Sequence, residues 1–553
     1  MEGLMQSYDL SVLKLLDHAA KYHSDAGIYS FSSKNVKSFR SWAEARHRAR
    51  ALAVGLQGLG VKPGDRVATL AYNTSRHMEV WFGIMGTGAV CHTLNPRLFL
   101  DDIDYIANDA GDTFLLADPE LADLARQLAP RVPSLRAVIW LDDVIPKTAK
   151  APRFSRELLA EDLIKDASVV LSGGWDWVRV PETAACGLCY TSGTTGRPKG
   201  VLYSHRANVL HALAIMLPDS FALSSSSTIL NVVPLFHANG WGLPFAAAAS
   251  GATLVMPGPN LDGASLLRVM SDVGVTMTAG VPTIWMALMQ EMERTGRSLP
   301  KLKIVGVAGS ACPAIVMDFF ESRGTQVRHA WGMTECCPIV TIASAKKSVQ
   351  EAPNNPWAGL RLRQGMPHAL CELRVVDENG KEAPMDGKTS GNIQIRGPHV
   401  LSQYYKKGVS ATDADGWFDT GDVGNLSPEG YMQITDRSKD VIKSGGEWIS
   451  SIEIENAAVG HPDVAEAAVI AVPHPKWTER PLLLVVPKAG RTVTRDSMLK
   501  FLQPLLAKWW LPEDVVSIKE IPHTATGKIN KLRLRQLYGG YSFGGDEAPR
   551  AKL

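Results

Sequence analysis

Eight short runs rich in β-branched residues, at 66–72, 90–94, 113–117, 137–141, 228–235, 252–256, 275–281 and 303–308, constrain this chain more than any other feature. Stretches of helical character separate many of them, among them 41–59, where apolar side chains recur at helical spacing. Strand–helix alternation predicts an α/β fold of largely parallel, helix-covered sheets, in which ligands gather at the loops that follow strand carboxyl ends. With 553 residues the chain exceeds one ordinary core, since a domain takes about 100–200. The texture changes near residue 436. Before it lie Gly- and Pro-rich turns and short alternating runs such as 392–396; after it, candidate strands at 467–472 and 482–486 and helices at 452–459 and 495–507 make a compact α+β set. The expected division is a large N-terminal domain over 1–436 and a smaller C-terminal domain over 437–553. The charged junction Asp436-Arg437-Ser438-Lys439-Asp440 suits an exposed hinge.

Composition works mainly by exclusion. A hydrophobic fraction of 45%, a charged fraction of 21% and a net charge of +2 are ordinary for a globular protein, and give no ground for a nucleic-acid or anionic-membrane partner. The most apolar window, 231–256, is broken by Pro234, His237, Asn239 and Pro244, so no integral membrane segment is expected. Seven cysteines (Cys91, Cys186, Cys189, Cys312, Cys336, Cys337 and Cys371), without an evident leader, fit reduced thiols in a cytoplasmic compartment. The last three residues, Ala551-Lys552-Leu553, resemble a peroxisomal address and keep that compartment as the alternative. Cys186 and Cys189 form a C-x-x-C, but a strand would turn them to opposite faces. No second cysteine pair or histidine cluster along the sequence completes a zinc site.

The chemistry is carried by Tyr190-Thr191-Ser192-Gly193-Thr194-Thr195-Gly196-Arg197-Pro198-Lys199-Gly200-Val201. Alternating hydroxyls and glycines before one lysine can turn N–H groups, O–H groups and an ammonium onto a polyanion. It is not a Walker A loop, because Pro198 rather than glycine precedes Lys199. The stretch resembles the signature loop of the adenylate-forming superfamily of acyl-CoA synthetases, peptide-synthetase adenylation domains and luciferases. Further matches follow in that family's order. The resemblance places Gly309-Ser310-Ala311 against adenine. Within Ala330-Trp331-Gly332-Met333-Thr334-Glu335 it implies that Trp331 stacks on the purine, Thr334 binds phosphate and Glu335, with Thr191, holds Mg2+. Asp422 of Asp419-Thr420-Gly421-Asp422 matches the acid that accepts both ribose hydroxyls, and Arg437 and Lys439 match a nucleotide contact and the hinge. Lys528, in Pro522-His523-Thr524-Ala525-Thr526-Gly527-Lys528-Ile529, matches the lysine that reaches back into the cleft. With Thr334, Glu335 and Lys199 it makes the expected catalytic set.

The resemblance also implies an acyl pocket, with His237, Trp241, Gly332 and Trp448, and a CoA segment, Lys443-Ser444-Gly445-Gly446. Ser444-Gly445-Gly446-Glu447-Trp448-Ile449-Ser450 is most similar to bacterial medium- to long-chain fatty acyl-CoA synthetases. There a tryptophan at the position of Trp241 gates an alkyl tunnel, although two tryptophans serve plain core packing equally well. The implied reaction joins ATP and a small-molecule carboxylic acid to acyl-AMP and pyrophosphate, then transfers the acyl group to the CoA thiol. Positioning and cationic charge, rather than a covalent nucleophile, meet the demands of the first step. Aromatic acids, short thioether acids and delivery to a carrier protein stay open, as does catalysis-free nucleotide binding. A homodimer is the assembly considered.

Overall fold

The structure is a computed structural model that describes residues 3–147, 151–191, 197–437, 439–444, 447–524 and 528–543. It is an α/β protein with a large N-terminal and a smaller C-terminal domain. All eight β-branched runs are strands. Four of them, Arg66–Leu70, Val90–Thr93, Asp112–Ala117 and Ala137–Trp140, lie in a seven-stranded sheet that is parallel except at one edge, where Gly200–Ser204 pairs antiparallel with Ala185–Tyr190. The others, Thr228–Asn231, Thr253–Met256, Met277–Gly280 and Ile304–Val307, form the parallel centre of a nine-stranded sheet. One run overshoots: the strand beginning at Thr228 ends at Asn231, ahead of Pro234, which cannot donate to a ladder.

The predicted helix at 41–59 spans Trp42–Gly58, and its N-cap, Ser41, accepts a hydrogen bond from Glu44 N at 3.1 Å. With Ser75–Gly86 it fills the space between the two sheets. One buried cluster therefore includes Val67, Phe114 and Ile139 from the first sheet, Ile229, Leu254 and Met277 from the second, and Trp42 and Trp81 from the helices. A second cluster covers the other face of the nine-stranded sheet and a third that of the seven-stranded sheet. The central parallel strands are thus covered on both faces.

Past Gln326–Gly332 the chain turns antiparallel. Glu372–Val376, Gly391–Arg396, Phe418–Leu426 and Met432–Arg437 make a four-stranded sheet, followed in the C-terminal domain by a five-stranded one centred on Thr478–Pro487. The helix expected over 495–507 stops at Leu502, because Pro504 follows. At the junction Asp436 is buried and accepts from both the backbone N and the hydroxyl of Ser451 at 2.7 Å, while Lys531 donates to the Ser451 hydroxyl at 2.6 Å and pairs with Glu455 at 2.8 Å. Among the described residues, no helix is long and apolar enough to cross a membrane. Residues 551–553 lie outside the described part.

Candidate functional site

The predicted site residues come from strand ends, as the topology requires. Ala185–Tyr190 runs into the signature loop, whose mouth is closed by two bonds, Thr191 N to Lys199 O at 2.9 Å and Lys199 N to Thr191 Oγ1 at 3.1 Å. Ser192, Gly193, Thr194, Thr195 and Gly196 lie outside the described residues. Ala330, Trp331 and Gly332 end the strand Gln326–Gly332, and Met333, Thr334 and Glu335 follow in a short 3-10 turn. Only glycine fits at 332, because a Cβ there would lie 1.9 Å from Pro338 O.

Glu335 is buried, and Tyr404 donates to its Oε1 at 2.8 Å. Burial raises its pKa, against the Tyr404 bond and the more distant charges of Arg437 and Lys199. It makes no ion pair among the described residues. The Lys199 ammonium stands 4.7 Å from the centre of the same Tyr404 ring, and Tyr203 donates to Thr334 O at 2.6 Å. Tyr404 and Tyr203 thus hold the loop, the lysine and the acid in one arrangement. The sequence carried no sign of this, because a tyrosine outside a motif has no spacing to announce it.

Asp422 and Arg437 face one another across neighbouring antiparallel strands, with Arg437 Nε 3.3 Å from Asp422 Oδ1. Trp331 Nε1 donates to Asp422 Oδ2 at 2.9 Å. The indole is packed in a buried cluster with Val375 and Ile393, so its N–H orients the carboxylate, a role beyond the expected stacking.

Lys528 arrives from the C-terminal domain. Thr524 and Lys528 exchange hydrogen bonds, Thr524 N to Lys528 O at 2.7 Å and Lys528 N to Thr524 Oγ1 at 3.2 Å. Burial first, and then the charge of Arg437, lower the ammonium pKa to about 8 against the opposing pull of Asp422 and Glu335. Gly309 has φ +89°, and a Cβ built on it would lie 3.5 Å from Lys528 Cε and 4.0 Å from the Trp241 ring; Ser310 and Ala311 follow at the surface. His237 is held to about 3 by burial and then by the charge of Lys528. Lys528 therefore lies beside Gly309 and within electrostatic reach of His237, Asp422 and Glu335.

The acyl segment is strained. Ala238, Asn239, Gly240, Trp241 and Gly242 all have positive φ, between 36° and 71°, so five glycine-permissive positions in succession include a tryptophan. Trp241 is 3% exposed and belongs to the main core cluster. The left-handed run is what aims its indole at Gly309.

Some predicted residues stand apart. Lys439 is exposed on the turn between Met432–Arg437 and Ile442–Ser444, and Lys443 is exposed with its backbone N bonded to Glu479 at 2.8 Å. Ser444 is buried and accepts from Arg480 at 3.4 Å. Gly445, Gly446 and the Trp448 side chain lie outside the described part. The tertiary structure also makes a histidine–cysteine cluster, from His368, Cys371 and His399, that no spacing in the sequence announces.

Comparison with known proteins adds to this geometry. The AMP-binding enzyme family matches residues 16–405, and the AMP-binding enzyme C-terminal domain matches 453–528. The chain is 41% identical to a medium-chain-fatty-acid–CoA ligase of Ectopseudomonas oleovorans and 44% identical to a long-chain-fatty-acid–CoA ligase of Thermus thermophilus, over 98% of both partners in each case. It is 41% identical to a 3-methylmercaptopropionyl-CoA ligase of Ruegeria pomeroyi, over 97% of this chain and 99% of that one.

Proposed function

Because this chain belongs to the AMP-binding enzyme family, we propose that it is an AMP-forming acyl-CoA ligase acting on medium- to long-chain fatty acids. The meeting of Lys528 with Asp422, Glu335 and the Gly309 turn carries the reading. In the first half-reaction an oxygen of the carboxylate bonds to the α-phosphorus of ATP and the bond to pyrophosphate breaks. Asp422, fixed by Trp331 and Arg437, still has lone pairs for the ribose hydroxyls. Lys528 sets one ammonium where phosphate charge shifts, and a half-buried cation stabilises such charge more strongly than one in water. Thr334 and the loop mouth at Thr191 and Lys199 turn donors toward the leaving phosphates.

A hard cation fits the buried Glu335 carboxylate and the Thr191 hydroxyl, both oxygen donors, and Glu335 has no competing ion pair among the described residues. Mg2+ held there would neutralise phosphate charge. In the second half-reaction the CoA thiolate attacks the acyl carbonyl and AMP leaves. We assign CoA to the segment at Lys443–Gly446, and the pivot between the half-reactions to Lys439, on the exposed turn that joins the domain of 1–436 to that of 437–553.

Trp241 and His237 bound the acyl side, and the indole beside Gly309 suits the gate of an alkyl channel. A short thioether acid is the second reading, favoured by the Ruegeria relative. A panel of acids from acetate to palmitate, with benzoate, cinnamate and 3-methylmercaptopropionate, assayed for AMP release with CoA, separates them. Each CH2 buried is worth about 0.8 kcal/mol, so a fatty-acid channel predicts kcat/KM climbing roughly fourfold per methylene until it fills. A flat or falling series with a maximum at the thioether acid or cinnamate overturns the fatty-acid assignment.

A further inference from the structure

We propose that His368, Cys371 and His399 bind a zinc ion and form a structural clasp behind the Thr334–Glu335 turn. The three residues are remote in sequence from that turn and meet it only in the fold. His368 and Cys371 precede the strand Glu372–Val376, and His399 follows Gly391–Arg396. Their donor atoms all lie within 4.8 Å of one another, with His399 Nε2 3.1 Å from His368 Nε2 and 3.3 Å from Cys371 Sγ. All three side chains are buried. Tetrahedral zinc, with Zn–N about 2.0–2.1 Å and Zn–S about 2.3 Å, sets neighbouring donors roughly 3.3–3.6 Å apart. The two edges at His399 are a few tenths of an ångström short of that spacing.

The hydrogen bonds around the cluster favour a ligand. His399 Nδ1 lies 2.6 Å from Cys336 O and can only donate to it, so the proton sits on Nδ1 and the Nε2 lone pair faces inward. That is the outer support that metal-bound imidazoles use. Without an ion, the Cys371 thiol and His368 Nε2–H both face this one lone pair, and the latter also reaches Ile339 O at 3.3 Å. With zinc, Cys371 binds as thiolate and releases its proton to solvent. The His368 proton moves from Nε2 to Nδ1, and two long bonds are given up, Leu370 N to Nδ1 at 3.3 Å and Nε2 to Ile339 O at 3.3 Å. No fourth His, Cys, Asp or Glu joins the group among the described residues, which leaves the fourth position to water. His211, though its ring lies 5.3 Å from that of His399, accepts from Ile339 N at 3.1 Å and is not one of the set.

The donor types separate this site from the one at Glu335. Imidazole and thiolate select zinc or cobalt over magnesium, which takes oxygen. Position gives the ion its work: Cys336 O, 2.6 Å from His399 Nδ1, lies one residue beyond Glu335. Zinc here ties the four-stranded sheet to the turn that presents Glu335.

The test uses untagged full-length protein, equilibrated with Zn2+ or Co2+ and freed of loosely held ion. Wild-type protein is expected to retain about one metal per chain, and the Co2+ form to show tetrahedral d–d bands with a thiolate charge-transfer band. Cys371→Ser should abolish the charge-transfer band, and it and His399→Gln should each weaken Co2+ binding by at least about tenfold. Cys312→Ser, at a buried cysteine outside the cluster, should change neither. A chelator should lower the melting temperature of the wild type but not that of Cys371→Ser. Failure of the wild type to retain either metal overturns the proposal, and that arm needs no variant to fold. An unchanged Co2+ spectrum in Cys371→Ser overturns it as well. None of these readouts depends on acyl-CoA synthesis.

Discussion

Raising the pH through 8 is expected to slow acyl-adenylate formation by discharging Lys528. Its ammonium lies near Arg437, and burial with that like charge lowers its pKa to about 8, against the opposing pull of Asp422 and Glu335. At one unit above that value about a tenth of the enzyme stays protonated, so the first half-reaction should fall roughly tenfold per pH unit on the alkaline side. The limb belongs to kcat/KM for ATP, which reports the free enzyme; bound triphosphate favours the ammonium and moves the limb in kcat to higher pH. Pyrophosphate exchange at fixed fatty acid measures the half-reaction. Lys528→Ala should lower it about a hundred- to thousandfold, on the order of 3–4 kcal/mol, and remove the limb. The second half-reaction, started from supplied acyl-adenylate, should instead quicken with pH as the CoA thiol ionises. An alkaline limb that persists in Lys528→Ala, or equal losses in both half-reactions, refutes the reasoning. A stability sign follows from the same shift. Between pH 8 and 10.5 the unfolded chain holds the Lys528 proton and the native one does not, so this group makes the ligand-free protein more stable as pH rises across that window. Lys528→Met should accordingly raise the melting temperature at pH 7 while adenylation is lost.

Asp422→Ala should raise the KM for ATP and leave that for the fatty acid nearly unchanged, because the carboxylate that Trp331 and Arg437 orient is assigned to the ribose; steady-state kinetics with each substrate varied would expose the opposite pattern. Trp241→Ala should broaden the chain-length profile along straight-chain acids. A purely packing tryptophan would instead lower the melting temperature, at a cost of about 3–5 kcal/mol, with the profile unmoved. Lys439→Pro, which fixes φ on the exposed turn between the domains, should leave pyrophosphate release intact and abolish thioester formation; normal acyl-CoA synthesis by that variant would place the pivot elsewhere.

The eight β-branched runs foretold the strands, and the signature loop with its downstream motifs foretold the family, because both signals are local. A strand announces itself through the residues it contains, and a phosphate loop through hydroxyls and glycines within a dozen positions. Boundaries were less legible: the run read to 235 and the helix read to 507 both pass a proline, and the structure ends them earlier, at Asn231 and Leu502. The sequence also separated the small C-terminal set from the rest, since its hydrophobic pattern closes on itself.

What the tertiary structure decided is how side chains with no spacing in common were brought together. Tyr404 reaches Glu335 from 69 residues away, Trp331 finds Asp422 across 91, and Lys528 enters the cleft from another domain. The His368–Cys371–His399 cluster is the sharpest case: no cysteine pair announces it, because two of its residues precede an antiparallel strand pair in the sequence and the third follows it. Burial, not residue type, raised Glu335, lowered Lys528 and held His237 near 3. A sequence records which groups can be charged, but the free energy of a charge depends on the water and the neighbours that folding removes or supplies, and those exist only once the chain has closed.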